Sequence, residues 1–271
     1  MAEISSKDVM ALRGRTNLPM MDCKAALAEA GGDINKAEEL LRKKLKGKMD
    51  ARTDRAAGEG RVTVVIAPDQ SGAAIVEVRS ETDFTAKNDG FGNAVAKAAA
   101  EALKLPEGKV EANAGITAAV DEIRISTSEN CSFARGFKYA GGAGKSFGSY
   151  VHHDGKTAVL LQAEGTIDAE ALAKICMHIT AAVPRPVGVT ADDIPAEIVD
   201  RERKFRIEQA MESGKPKEIA EKMVEGGMRK FFEEVALIEQ PYVIDPTKKV
   251  KDILGSAKIL RFLRWQVGEQ A

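Results

Sequence analysis

The stretch 60-GRVTVVIAPDQSGAAIVEVRS-80 decides the fold of this chain. Two alternating runs rich in β-branched residues, 60–67 and 73–80, stand on either side of the polar segment PDQSG. Alternation of this kind, interrupted by a short proline- and glycine-containing segment, predicts a β-hairpin. A polar loop, ETDFTAKNDG (81–90), follows, and then the alanine-rich FGNAVAKAAAEAL (91–103), which predicts a helix.

The same order of elements recurs about ninety residues later. SFGSYVHH (146–153) and TAVLLQAE (157–164) form a second predicted hairpin across DGK, and AEALAKICMHITAAV (169–183) predicts the matching helix. A repeated hairpin–loop–helix unit indicates an α+β core of two similar halves. Between them, CSFARGFKY (131–139) predicts a further strand that places Cys131, Phe133, Arg135, Phe137 and Tyr139 on one face.

Helical segments flank and interrupt this core. Residues 5–45 carry helix caps and short apolar stripes that predict three helices, and so small a bundle resembles a ubiquitin-associated domain. Residues 195–240 predict two helices joined by a tight turn. Within them Ile198 and Phe205 are seven apart, as are Val224 and Phe231, which favours an antiparallel coiled-coil hairpin with a narrow apolar seam.

These segments predict the following division of the chain: a three-helix domain (1–50), a linker (51–59), a first core subdomain (60–140), a second core subdomain (141–194 and 241–271), and the inserted coiled-coil hairpin (195–240). At the end of the second subdomain, TKKVKDILGSA (247–257) is predicted to be helical. FLRWQV (262–267) is predicted to be a strand with Trp265 facing inward.

Composition excludes several functional classes. The chain has 271 residues, with 40 basic and 41 acidic side chains and a net charge of −1, so no global charge favours nucleic acid or an anionic membrane. The N-terminus lacks the apolar segment of a signal peptide, and three widely spaced cysteines suit a reducing cytoplasm.

His152 and His153, adjacent in a predicted strand, would point to opposite faces of that strand. We interpret Cys176 and His178 as core and edge residues of a helix. No metal site is therefore expected.

The segment YAGGAGKSFG (139–148) looks like a phosphate-binding loop but lacks its requirements. A P-loop needs a glycine where this chain has Tyr139, and it must open a helix, whereas Lys145 and Ser146 precede a predicted strand. We therefore interpret the segment as a glycine-rich inter-strand loop and expect no bound nucleotide or other cofactor.

Phe84 is the most informative residue of the loop 81–90. An aromatic side chain beside a carboxylate, among polar residues, either folds back into the core or projects as an anchor for a partner's pocket. The residue chemistry alone leaves both alternatives open.

Three motifs together resemble the bacterial elongation factor Ts family: LRGRTNLPMMDCKAALAEAGGDINKAEELLRK (12–43), SETDFTAKNDGF (80–91) and SGKPKEIAEKMVEGGMRKFFEEV (213–235). The likeness covers nearly the whole chain in the family's order of domains. Some members continue into a further C-terminal helix beyond the equivalent of Ala271, and contacts of that helix are not transferred to this chain.

The resemblance implies a function without covalent chemistry. Family members are guanine-nucleotide exchange factors that bind elongation factor Tu in its GDP-bound and nucleotide-free states, so we expect this partner, a cytoplasmic location and no enzyme activity. By the same resemblance, the residues that would dislocate the partner's Mg²⁺ are Thr82, Asp83, Phe84 and Thr85. The residues that would make other partner contacts are Arg13, Met20, Met21 and His152.

One alternative is a module in which residues 1–50 bind a nascent chain or a ubiquitin-like protein, as ubiquitin-associated domains do. It leaves the two-half core and the aromatic residue Phe84 without a role. A pull-down from a bacterial lysate would distinguish the two functions.

Overall fold

A computed structural model describes residues 4–16, 18–50, 53–212, 214 and 216–269. The strands, in chain order, are β1 (Glu59–Ile66), β2 (Gly72–Ser80), β3 (Gly108–Lys109), β4 (Ser132–Ala140), β5 (Lys145–Val151), β6 (Thr157–Glu164), β7 (Pro241–Tyr242), β8 (Asp245–Lys249) and β9 (Lys258–Gln266). The helices are α1 (Ser6–Thr16), α2 (Met20–Glu29), α3 (Ile34–Asp50), α4 (Asp83–Lys87), α5 (Asp89–Leu103), α6 (Ala114–Thr127), α7 (Ala169–Ala181), α8 (Ala196–Glu212), α9 (Lys217–Val235) and α10 (Val250–Ile253).

Two antiparallel sheets form the core. The first has the strand order β1-β2-β4-β3, and the second has the order β5-β6-β9, so the last long strand returns to complete the second half. Both predicted hairpins, the helices that follow them and the strand 262–267 are present, which confirms a mixed α+β fold.

The sheets pack face to face, with helices on the outside. Val62, Ile75, Phe147 and Leu160 are buried between the sheets, and Trp265 packs against them as predicted. Helices α5 and α6 cover the outer face of the first sheet, and α7 covers that of the second. The central strands β2 and β6 are therefore buried on both faces, which explains their nearly continuous apolar sequences.

A β-bulge divides the side chains of β4 between two cores. Phe133 pairs with Val78 and Arg135 pairs with Glu77, so Ala134 is an extra residue in β4. Phe133 consequently packs with the helix-side cluster, whereas Phe137 packs between the sheets. The predicted strand is confirmed, but the prediction that its odd-numbered residues share one face is wrong.

Several short elements differ from the sequence predictions. Residues 81–90 are helical over most of their length, since α4 and α5 meet at Asn88. The predicted helix 247–257 is wrong in extent, because β8 occupies its first residues and α10 spans only Val250–Ile253. Helix α6 and the short strand β3 were not predicted.

The N-terminal helices α1, α2 and α3 enclose a small core. Its buried members include Val9, Leu12, Cys23 and Leu27, and Ile125 of α6 packs against it. The three-helix unit thus rests on the first half of the core. Its likeness to a ubiquitin-associated domain and the predicted domain boundaries remain predictions, and residues 51 and 52 of the predicted linker lie outside the described residues.

Helices α8 and α9 form a helical hairpin whose base is buried beside the second sheet. Pro216 precedes α9, and Gly214 has the positive φ of +63° that a tight turn between helices requires. Ile198 and Phe231 pack at the base. Phe205 is 54% exposed, so its predicted place in an apolar seam is wrong, and the coiled-coil geometry stays a prediction. None of the described helices combines the length and hydropathy that a bilayer-spanning helix requires.

Candidate functional site

Phe84 lies in the first turn of α4, at the end of β2. Thr82 caps this helix, because its side-chain oxygen accepts a hydrogen bond from the Thr85 N–H at 3.3 Å. Ser80 Oγ donates to the Thr82 carbonyl at 3.0 Å. Asn88 then caps α5 through the Gly90 N–H at 2.7 Å. These two caps begin two consecutive helices, so most of the segment 81–90, which was predicted to be a loop, is helical.

The Phe84 side chain projects into solvent. It is 84% exposed, whereas Phe91, seven residues later, is completely buried in the first core. Thr85 and Ala86 are buried and attach the other side of α4 to the sheet. The alternative in which Phe84 fills the core is therefore wrong, and its ring is available to a partner.

Asp83 carries its charge next to Phe84. Lys87 Nζ donates to Asp83 Oδ2 at 2.6 Å across one turn of α4. This hydrogen bond, supported by the charges of Lys87 and Lys156, lowers the pKa of the Asp83 carboxyl below its usual value. Both charged groups of the pair remain substantially exposed, so each can exchange its partner at small cost.

The β5–β6 turn approaches the same end of the molecule. Lys156 Nζ binds Glu59 Oε2 at 2.7 Å, and the charge of Asp83 further raises the Lys156 pKa. His152 lies in this turn, and its Nδ1 is 3.3 Å from the phenolic oxygen Oη of Tyr150. The structure therefore brings the Asp83 helix and the His152 turn to one side of the core.

The two histidines of this turn differ from their predicted placement. β5 ends at Val151, so neither His152 nor His153 lies in a strand, and their ring centroids are only 4.3 Å apart. Within the described part of the chain, no group of three or more His, Cys, Asp or Glu side chains is arranged to hold a metal ion.

Arg13, Met20 and Met21 are exposed side chains of the three-helix unit. Arg13 lies in the last turn of α1. Met20 and Met21 open α2 directly after Pro19, and they are 46% and 73% exposed. Exposed methionines adapt their shape readily to another protein's surface.

The cysteines and His178 belong to the interior. Burial raises the pKa of the Cys131 thiol to about 12, and it also raises the pKa of Cys176. His178 is buried, so its predicted place at a helix edge is wrong; its Nε2 lies 2.9 Å from Gln240 Oε1, and its Nδ1 accepts the Val243 N–H at 3.2 Å. Burial lowers its pKa.

The glycine-rich segment 139–148 forms a strand, a turn and a strand. Tyr139 is buried in β4, and Lys145 begins β5 with its N–H bonded to the Gly142 carbonyl at 3.0 Å. The interpretation as an inter-strand turn is confirmed, since no helix opens at Lys145 to face a phosphate.

Two anchoring residues beside Phe84 were not predicted from the sequence. Glu129 Oε1 accepts the Thr82 hydroxyl at 2.6 Å, and its Oε2 accepts the Thr82 N–H at 3.2 Å. The Asn130 N–H donates to Glu81 Oε1 at 2.6 Å. These contacts join residues almost fifty positions apart, so only a prediction of α6 and its end could have indicated them.

An exposed aromatic residue on a firmly capped helix is typical of a protein that acts by binding another protein. Comparison with known proteins specifies this class. The family model described as Elongation factor TS matches residues 81–269. The chain is 43% identical over 281 residues to elongation factor Ts of Sodalis glossinidius, and 42% identical over 279 residues to that of Thiobacillus denitrificans. Each alignment covers 99% of this chain and 93% of the relative.

A third relative, elongation factor Ts of Thioalkalivibrio sulfidiphilus, is 41% identical over 275 residues, or 98% of this chain and 92% of the relative. The chain belongs to the elongation factor Ts family. Members of this family are translation factors that exchange the guanine nucleotide of elongation factor Tu.

Proposed function

We propose that this protein binds GDP-bound elongation factor Tu and promotes GDP release through α4, with Phe84 as the inserted side chain. The observation that carries this proposal is the 84% exposure of Phe84 on a helix that is capped at Thr82 and attached through buried Thr85. Burying a large apolar side chain in an apolar pocket is favourable, and little ordering free energy is lost when the backbone that carries it is already fixed.

Phe84 and Asp83 have complementary roles in this proposal. Phe84 enters a pocket between helices of the partner and displaces the elements that surround the bound Mg²⁺. Asp83, which is ionised at neutral pH, perturbs the polar groups and water around that ion. Because Mg²⁺ requires nearly ideal octahedral geometry, a small displacement of its surroundings loses much of its binding free energy. GDP then dissociates from the weakened site.

Exchange of this kind requires no covalent step. A factor that weakens GDP binding to its partner is itself bound more weakly, by the same factor, when nucleotide is present. Incoming GTP therefore releases the factor. The surface formed by Arg13, Met20 and Met21 contacts the nucleotide-binding domain of the partner, and His152 contacts another part of it. The process belongs to translation and hence to the cytoplasm, and it involves neither nucleic acid nor membrane.

The alternative, a nascent-chain or ubiquitin-like-protein binder acting through residues 1–50, is not favoured. The relatives that match almost the whole chain, including the three-helix unit, are elongation factors Ts. That alternative also gives no role to the exposed Phe84.

The direct test is release of fluorescent GDP from elongation factor Tu. We expect the protein to accelerate release, while Lys145→Ala stays within a few-fold of the wild-type rate, because Lys145 begins a strand rather than a phosphate-binding helix. We also expect calorimetry to detect no GDP or GTP binding to the isolated protein. Micromolar GTP binding to the isolated chain would show that it carries its own nucleotide site.

Removal of residues 1–50 is expected to weaken binding of elongation factor Tu about thirty-fold, or about 2 kcal/mol, because Arg13, Met20 and Met21 are lost together. The two sheets and their helices lie outside the deleted segment, so the truncated protein should still unfold cooperatively. Binding is measured by titration and folding by thermal melting. A folded truncation with unchanged affinity would contradict the role of this surface.

A further inference from the structure

We propose that Glu129 is a positioning residue for nucleotide exchange, which fixes the direction of Phe84 through the helix cap Thr82. We call the contacts of Glu129 with Thr82 the Glu129 clamp. The inference rests on the proposed function of Phe84 and adds a residue that touches neither the partner's ion nor the nucleotide.

The clamp holds Thr82 at two points. The Thr82 hydroxyl donates to Glu129 Oε1 at 2.6 Å, and the Thr82 N–H donates to Oε2 at 3.2 Å. Hydrogen bonds to an ionised carboxylate are short and about twice as strong as neutral ones. The same hydroxyl oxygen accepts the Thr85 N–H at 3.3 Å. The Thr82 side chain therefore connects Glu129 to the first turn of α4.

Helix α4 depends on such an anchor for its orientation. It has five residues, which is too short for a helix to be stable by its own hydrogen bonds. The ion pair of Asp83 with Lys87 lies within the helix and is exposed, so it contributes little to the direction of the helix. The clamp and the buried residues Thr85 and Ala86 determine where Phe84 points.

An unusual backbone conformation delivers Glu129 to this place. Ser128 ends α6 with φ +59° in the left-handed region, which residues other than glycine rarely adopt. Strained conformations of this type concentrate at sites where a side chain must be held in a particular direction. Here the turn directs Glu129 and Asn130 back toward the end of β2.

The same turn holds the segment that leads from the three-helix unit. Asn130 Nδ2 donates to the Arg55 carbonyl at 2.7 Å and to the Thr53 carbonyl at 3.1 Å. One helical turn earlier, Ile125 packs on the N-terminal core. The end of α6 thus fixes Phe84 relative to the surface of Arg13, Met20 and Met21, so that both can engage one partner together.

The test uses two nearly isosteric changes that open the clamp. Thr82→Val removes the hydroxyl, and Glu129→Gln replaces one accepting oxygen by an NH₂ group that cannot accept a hydrogen bond. We expect each to lower the maximal rate of fluorescent GDP release at saturating factor about ten-fold, with a smaller change in affinity for elongation factor Tu. Thr82→Ser keeps the hydroxyl that Glu129 accepts, so it should exchange faster than Thr82→Val.

Asp168→Ala is the matched control. Asp168 caps α7 in the second half of the core by accepting the Ala171 N–H at 2.7 Å, so its loss removes a helix cap far along the chain from α4. We expect a lower melting temperature with an unchanged maximal exchange rate. An equal loss of exchange in Asp168→Ala would show that the clamp variants act only through general stability, which would overturn the proposal.

A double-mutant cycle decides whether Glu129 acts through Phe84. Glu129→Gln should slow exchange about ten-fold in the wild type and have almost no effect in a Phe84→Ala background. The same fractional loss in both backgrounds would overturn the positioning role. If Phe84→Ala is slow but Thr82→Val and Glu129→Gln exchange at the wild-type rate, only the clamp is wrong. If Phe84→Ala itself exchanges at the wild-type rate, the proposed function fails and the clamp fails with it.

Discussion

Replacing Phe84 with alanine is expected to remove most of the exchange activity and to leave the fold intact. The side chain is 84% exposed, so its loss uncovers no core surface. An aromatic anchor truncated in a partner's pocket costs about 2–4 kcal/mol, which corresponds to a loss of roughly thirty- to a thousand-fold. The measurements are fluorescent-GDP release from elongation factor Tu and thermal melting of the isolated variant.

Phe91→Ala provides the matched control for this experiment. Phe91 is completely buried, so its truncation should lower the free energy of unfolding by about 3–5 kcal/mol, while the folded fraction exchanges GDP normally. Asp83→Ala should give a smaller exchange loss than Phe84→Ala, because it removes a charge near the Mg²⁺ surroundings but keeps the inserted ring. A Phe84→Ala protein that melts early, yet releases GDP at the wild-type rate when folded, would contradict the mechanism.

The elements that the sequence predicted well are those whose pattern extends over many residues. The runs of β1 and β2 and the alanine-rich α5 each carry their period for eight residues or more. Helix α4 has only five residues, and its cap depends on Thr82, so its period was too short to distinguish it from a loop. Exposure of Phe84 likewise depends on which side of α4 is buried, and a loop prediction cannot specify that.

Other features arise from contacts between distant parts of the chain. The bulge at Ala134 is defined only by the register of β4 against β2, so alternation in β4 alone gave the wrong faces. The Glu129 clamp joins two residues 47 positions apart. Family likeness therefore named candidate site residues without the structure, whereas the contact of Glu129 with Thr82 was visible only in the structure.

A buried carboxylate joins the two sheets of the core. Glu77 of β2 is completely buried; its Oε2 accepts Arg135 Nε at 2.6 Å, and its Oε1 accepts the Gly268 N–H at 3.1 Å. The Arg135 guanidinium also donates to the Gln266 carbonyl at 3.1 Å and lies 4.5 Å from the Trp265 ring centroid. Trp265 and Gln266 end β9 and Gly268 follows shortly after it, so this network connects both halves.

Glu77→Ala is accordingly expected to lower the free energy of unfolding by about 3–5 kcal/mol, because it leaves the mostly buried Arg135 without its counter-charge. The matched control is Glu107→Ala, which breaks an exposed ion pair with Arg261 and should cost less than about 1 kcal/mol. Denaturant unfolding of both variants measures the difference. Equal denaturant midpoints for the two variants would mean that the buried Glu77 network stabilises the fold no more than an exposed ion pair does. A large shift confined to Glu77→Ala would show that the buried network stabilises the contact between the two sheets.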